Sequence, residues 1–209
     1  MLHCPINNTT KLSGVTTISS STSPSHFSLT TLIENPFDLL THLPFRIAVV
    51  SNLLALNRDW PIRDLCQLEP RELRVLINIG SYMPIKSADI AYQTRMDSYT
   101  VSRAVKKLLS LDYAISRPDT NKRNVKNLEL TQTGIQLYKA VTEVLDDRNR
   151  QLESVLSDNE RYLLFDILAR LETKSEAMLA EHAIQALAKN QSLPADQKEL
   201  IRWYKKSQA

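Results

Sequence analysis

Asp97-Ser98-Tyr99-Thr100-Val101-Ser102-Arg103-Ala104-Val105-Lys106-Lys107-Leu108-Leu109-Ser110-Leu111 reads as a helix with two chemically opposed faces. Val101, Val105 and Leu108 recur at steps of four and three, so they form one apolar stripe that must face a core. Tyr99, Ser102, Arg103, Lys106 and Lys107 fall on the other side, which combines hydroxyl groups with three cations. Asp97 or Ser98 can cap the helix, because either side chain can accept from the orphan N–H groups of the first turn. A basic amphipathic helix standing alone is an ordinary solvated face. Its neighbours decide the reading.

Upstream, Ser87 is a good N-cap for a short helix whose buried face is Ile90 and Ala91, with Met96 closing the turn into Asp97. Downstream, Ala114 to Arg117 and Val125 to Leu130 are short stretches of strand type around a polar tip that contains the turn formers Pro118, Asp119 and Asn121. A hairpin is the simplest reading, and its tip carries Lys122 and Arg123. Short helix, turn, basic helix and basic hairpin are the order of a winged helix-turn-helix. From Lys86 to Lys126 there are nine Lys or Arg against four Asp, a net of +5 in a chain whose total is only +3. Charge concentrated on the motif is the footprint of a nucleic-acid face. The N-terminal residues of such a helix meet base edges in the major groove, its cations reach phosphates, and a cationic wing can enter the adjacent minor groove. The candidate DNA contacts are Ser98, Tyr99, Thr100, Ser102, Arg103, Lys106, Lys107, Arg117, Lys122 and Arg123.

Over roughly Phe45 to Glu181 the chain resembles the MarR family of bacterial winged-helix transcription regulators. Met96 to Val105 looks like the family's recognition helix, Leu130-Thr131 with Gly134 is similar to its exit from the wing, and Leu68 to Leu76 looks like its second helix. The chain departs from the family pattern twice. Lys122 stands where the family usually has an Asp before the wing arginine, and Asp112 stands where it usually has a Gly after the recognition helix. Asp tolerates the left-handed conformation that such a position imposes better than most residues do. The resemblance implies pairing through the terminal helices and a cleft for small aromatic or phenolic acids. His42 and Arg46, four apart on the first helix, are the candidate ligand contacts, since a guanidinium suits a carboxylate.

Outside the motif, helical patterns start at Pro44, with Ile47, Val50, Leu53, Leu54 and Leu56, and at Pro70, with Leu73, Leu76 and Ile77. Two longer helices follow Gly134. The first carries Leu137, Val141, Val144, Leu145, Leu152 and Val155; the second starts at a capping box, Ser157 with Glu160, and carries Leu163, Ile167, Leu168, Leu171 and Met178. One small winged helix cannot bury all of these stripes, so the surplus predicts a homodimer. A last short helix holds Leu200, Ile201, Trp203 and Tyr204. Its aromatic pair is expected to pack on the dimer helices, with contact to DNA flanks or to a partner as the alternative.

A chain of 209 residues that is 43% hydrophobic has material for a core. Three glycines exclude a Gly-rich phosphate cradle. There is no apolar run of membrane-spanning length and no apolar leader, so the expected location is the cytoplasm, with no membrane partner. His3, His26, His42 and His182 lack metal-ligand spacing, Cys4 and Cys66 suit neither a disulfide framework nor a metal, and no nucleophile motif is present, so neither metal, cofactor nor catalysis is expected. Cys66 is read as a small hydrophobe against the core.

The sequence therefore predicts a mainly α fold with a small β-hairpin wing, a winged helix-turn-helix domain flanked by N- and C-terminal dimerisation helices. The expected boundaries are a disordered tail over 1–35, where fourteen Ser or Thr crowd out large apolar groups, a first helix over 36–62, the DNA-binding domain over 63–134, dimerisation helices over 135–188 and a short basic helix over 189–209. The expected function is a repressor released by a small ligand, binding double-stranded DNA at a pseudo-palindromic operator; the alternative is a winged-helix scaffold for protein interactions.

Overall fold

The computed structural model describes residues 27–118 and 126–208, and they divide into two units between Asn52 and Leu53. The described part of the first unit has no helix or strand before α1, Leu43–Leu53. Of the tail expected over 1–35, residues 1–26 lie outside the described residues. α1 is shorter than the apolar spacing suggests, because Leu54 falls in a turn and Leu56 opens a separate 3-10 turn, Leu56–Arg58. Further on, Pro61 occupies the first turn of a new helix, α2, Trp60–Leu65, where its missing N–H costs nothing.

The second unit is built around α3, Pro70–Tyr82, which starts with a capping box in which the Glu69 N–H donates to Glu72 Oε2 at 2.9 Å. α3 buries Leu73, Val75, Leu76 and Ile79. α4, Ser87–Thr94, adds Ile90 and Ala91, and α5, Ser98–Ser110, adds Val101, Ala104, Val105 and Leu108. The cap of α4 differs from expectation: Lys86 occupies the N-cap position and Ser87 is the first helical residue, so its hydroxyl makes no cap bond. β1, Ala114–Pro118, and β2, Lys126–Leu130, pair antiparallel with Ala114 opposite Leu130 and Pro118 opposite Lys126. Ile85 bridges to Leu128 from the other side. Leu128 and Leu130 point into the core while Arg117 and Lys126 stay exposed. Cys66 is half-buried and packs against the same core.

The remaining helices are α6, Gln132–Glu153, α7, Asp158–Ala188, and α8, Ala195–Ser207. α6 lays Val141, Leu137, Tyr138, Val144 and Leu145 on the core, and Arg148 reaches Asp59 at 3.7 Å. Ser157 and Glu160 cap α7 reciprocally. α7 changes character along its length. Leu163, Leu164, Phe165, Ile167 and Leu168 are exposed, whereas Glu176, Ala180 and Ala183 are buried. α8 packs along α7, but Trp203 lies against the winged-helix core, so the two aromatics do not both rest on the long helices. At the α4–α5 turn the Trp203 ring faces the Arg95 guanidinium, with the centroid 5.9 Å from the guanidinium carbon.

One junction joins the wing to α6. Asp112 adopts φ 55°, the left-handed turn expected where the family has Gly, and its carbonyl accepts from the Thr131 hydroxyl at 2.6 Å. Thr131 caps α6 by accepting from the Gly134 N–H at 3.0 Å, and its own N–H donates to the Tyr113 carbonyl at 3.1 Å. A Cβ on Gly134 would overlap that same carbonyl oxygen, which is backbone and held in place. Gly134→Ala is therefore expected to destabilise the protein by about 2 to 3 kcal/mol, the cost of overpacking at a site that cannot relax. A urea unfolding midpoint equal to that of the parent protein would show that the junction yields.

Candidate nucleic-acid interface

The first turn of α5 is fixed by Asp97. Its Oδ1 accepts from the Thr100 N–H at 2.8 Å and its Oδ2 from the Thr100 hydroxyl at 2.7 Å. The Thr100 hydroxyl first, and the Thr100 amide second, hold the Asp97 carboxyl below the ordinary aspartate value. Thr100 thus has its hydroxyl hydrogen engaged in the cap and is half-buried, which leaves it less to offer a base than the sequence suggested.

With the stripe turned inward, Ser98, Tyr99, Ser102, Arg103, Lys106 and Lys107 are all exposed on one side of α5. Tyr99 is 70% exposed, and Arg103 lies one turn on, its guanidinium carbon 5.8 Å from the ring centroid and its Nη1 donating to the phenol oxygen at 3.4 Å. A guanidinium resting on a ring loses less rotamer freedom when it binds. Beside this face, a cleft of about 410 Å³ separates α5 from the start of α3, lined by Glu69, Arg71 and Glu72 opposite Tyr99, Arg103 and Lys107. Arg71 is an exposed cation that the sequence reading missed, because only packing of α3 on α5 brings residues some thirty positions apart together.

Arg117 is brought to the wing but is not idle. Its Nε pairs with Glu129 Oε2 at 3.1 Å, so a phosphate would have to exchange with that carboxylate. Lys122 and Arg123, with the turn formers Asp119 and Asn121, lie outside the described residues. His42 and Arg46 are in the other unit, one helical turn apart, with the Arg46 N–H donating to the His42 carbonyl at 3.1 Å and the imidazole edge-on to Phe37. A further participant was missed. Both carboxylate oxygens of Glu199, in α8, accept from the Ser98 N–H at 3.2 and 3.1 Å. No spacing rule could have signalled a contact between residues 101 positions apart.

No family model matches the chain. An uncharacterized helix-turn-helix transcriptional regulator of Bacillus cereus is 24% identical over 110 residues, covering 52% of this chain and 73% of that protein. Among solved structures, a MarR/EmrR family transcriptional regulator from Acinetobacter sp. ADP1 superposes with a TM-score of 0.62 at 23% identity, covering 68% of this chain and 99% of the other. The Staphylococcus aureus MepR in complex with DNA gives 0.58 at 20% identity, covering 63% and 97%. The chain has the winged-helix fold of the MarR-type regulators.

The cap generates a test. Because the folded-state pKa of Asp97 is depressed, its contribution is complete above the unfolded aspartate value and is lost as pH falls through the folded value. Asp97→Ala should cost about 1 kcal/mol near neutral pH. The difference from the parent should hold through weak acid and fade only below the ordinary aspartate range; thermal unfolding of both proteins from pH 7 to 3 checks this, and a difference already gone at pH 5 would assign the stabilisation to another group.

Proposed function

We propose that the chain is a DNA-binding transcriptional regulator that reads a pseudo-palindromic operator as a homodimer, repressing until a small acid bound near His42 and Arg46 releases it. The observation that carries DNA binding is the outer face of α5, where Tyr99, Ser102, Arg103, Lys106 and Lys107 are exposed together on a helix that contains no acid. The resemblance to MarR-type regulators supports the same reading, as does the similarity to a regulator solved on DNA. In this scheme Ser98, Tyr99, Ser102 and the Arg103 guanidinium address base edges, while Lys106 and Lys107 neutralise phosphates.

Pairing is supported by the first half of α7. Its apolar residues at 163, 164, 165, 167 and 168 occupy more than one side of the helix and are left open by the single chain, a patch that a second copy would cover. Repression and the effector rest on the family resemblance. Sedimentation at micromolar concentration should find a dimer in the absence of DNA, and a monomer would remove the basis for a two-fold site.

The contact classes are separated by two substitutions. Arg103→Ala should cost about 1 to 3 kcal/mol on the operator and relax base preference, as loss of a bidentate guanine contact does. Lys107→Ala should weaken operator and random duplex alike and make the salt dependence shallower by about one unit of slope. Absence of salt-dependent duplex binding by the parent protein would favour a protein-interaction scaffold instead.

A further inference from the structure

The C-terminal helix is tied to the helix-turn-helix at three successive turns. Glu199 takes the Ser98 N–H. Trp203, one turn on, packs against the core with its ring centroid 5.9 Å from the Arg95 guanidinium carbon. Lys206 Nζ then reaches Asp89 at 2.8 Å and lies 4.6 Å from the Tyr92 ring. The helix is also bound to α7, since the Ser207 hydroxyl donates to Glu176 Oε1 at 2.7 Å and Glu176 Oε2 pairs with Arg95 at 2.5 Å. α8 thus reaches α4 through Lys206, and its Glu199 end sits at the start of α5.

The Ser98 N–H belongs to the first-turn donors that leave α5 without an intrahelical partner, and in a bare helix-turn-helix such a donor is open to a phosphate. Here a resident carboxylate, only 5% exposed, occupies it. Left uncompensated, that negative charge would repel DNA at the end of α5 that addresses the groove. Arg202 compensates it. Its Nη2 stands 3.4 Å from Glu199 Oε1, and its side chain remains 69% exposed. One nitrogen of the guanidinium faces the carboxylate, and a fork of five donors has others to give. An amide that could hold an anion only at the helix end is replaced by a longer-reaching, forked cation at the same place.

We propose that α8 is a further DNA-contacting element in which Arg202, held at the N-terminal end of α5 by Glu199, takes a backbone phosphate. The proposal rests on the DNA-binding reading above. A phosphate contact is independent of sequence, so a random duplex of about 30 base pairs is a sufficient probe. Affinity is measured across salt concentrations for the full-length parent, Arg202→Ala, Arg202→Lys and, as a cation removed outside α8, Lys189→Ala. Arg202→Ala should bind about tenfold more weakly, with the slope of log affinity against log salt shallower by about one; Arg202→Lys should recover the slope, and Lys189→Ala should keep it. A parent protein without salt-dependent binding would defeat the DNA-binding reading itself. With the parent binding, the proposal is overturned by an Arg202→Ala protein equal to it in affinity and slope, by one that binds more tightly and so reveals α8 as an obstruction, by Arg202→Lys failing as Arg202→Ala does, or by an equal loss in Lys189→Ala.

Discussion

Burial of one face of α5 is the constraint on which the rest of the structure depends. Val101, Ala104, Val105 and Leu108 all lie within the core that α3, α4 and the hairpin share. Each large aliphatic side chain buried in this way stabilises the fold by roughly 1.5 to 3 kcal/mol, far more than any single surface charge contributes. The stripe therefore fixes the rotation of the helix, and the cations have no choice of side. Rotating α5 about its axis to hide Arg103 or Lys106 would expose the stripe and bury a charge, and both costs run the same way. The basic face is a consequence of the apolar one, held in place by packing.

Two buried carboxylates among the described residues, Glu176 and Glu199, extend that order beyond the winged helix. Glu176 is paired with Arg95, and Glu199 with the Ser98 amide and Arg202, so neither is an uncompensated charge. Breaking such a pair costs more than forming it contributes, which makes it a locking device for geometry more than a source of stability. Arg95 sits at φ 52° in the turn between α4 and α5, where its guanidinium meets Tyr92, Trp203, Glu172 and Glu176. The turn that sets the angle of the candidate recognition helix is thus gripped by side chains from α7 and α8. A change in the position of those helices would be felt at α5 through ion pairs and not only through apolar contact.

Legibility in the sequence follows the range of the interaction. The period of Val101, Val105 and Leu108, the Asp97 cap, the Ser157–Glu160 box and the left-handed turn at Asp112 are local, and each stands in the structure where its residues indicated. Ser87 shows the limit of even local reading, since a good capping residue lost the position by one place to Lys86. What depended on tertiary packing was not readable: Arg71 beside Arg103, Glu129 on Arg117, and above all Glu199 on Ser98. The Arg117 pair was within reach, because once a hairpin is assumed Ile115 faces Glu129 and a diagonal neighbour follows. The Glu199 contact was not, because nothing in a thirteen-residue basic helix singles out one of its two acids.

The distribution of charge gives these contacts a common sense. The stretch from Lys86 to Lys126 carries more positive charge than the chain as a whole, so the remainder of the chain is acidic. Part of that acid is drawn up against the helix-turn-helix at Glu172, Glu176 and Glu199, where it neutralises Arg95 and caps α5. Tyr99, Arg103 and Lys107 meanwhile face Glu69 and Glu72 across the cleft between α5 and α3, and all three stay exposed. Acid and cation therefore alternate around the helix-turn-helix, and it is the net +5 of this stretch, not a separation of faces, that would attract a polyanion. Salt would screen that attraction beyond about 8 Å at physiological ionic strength, while the Arg95–Glu176 pair, whose carboxylate is buried, is screened less. Charge thus acts at two ranges through different residues, close pairing at Arg95 that holds the turn before α5 and longer-range attraction from the exposed cations of α5 itself.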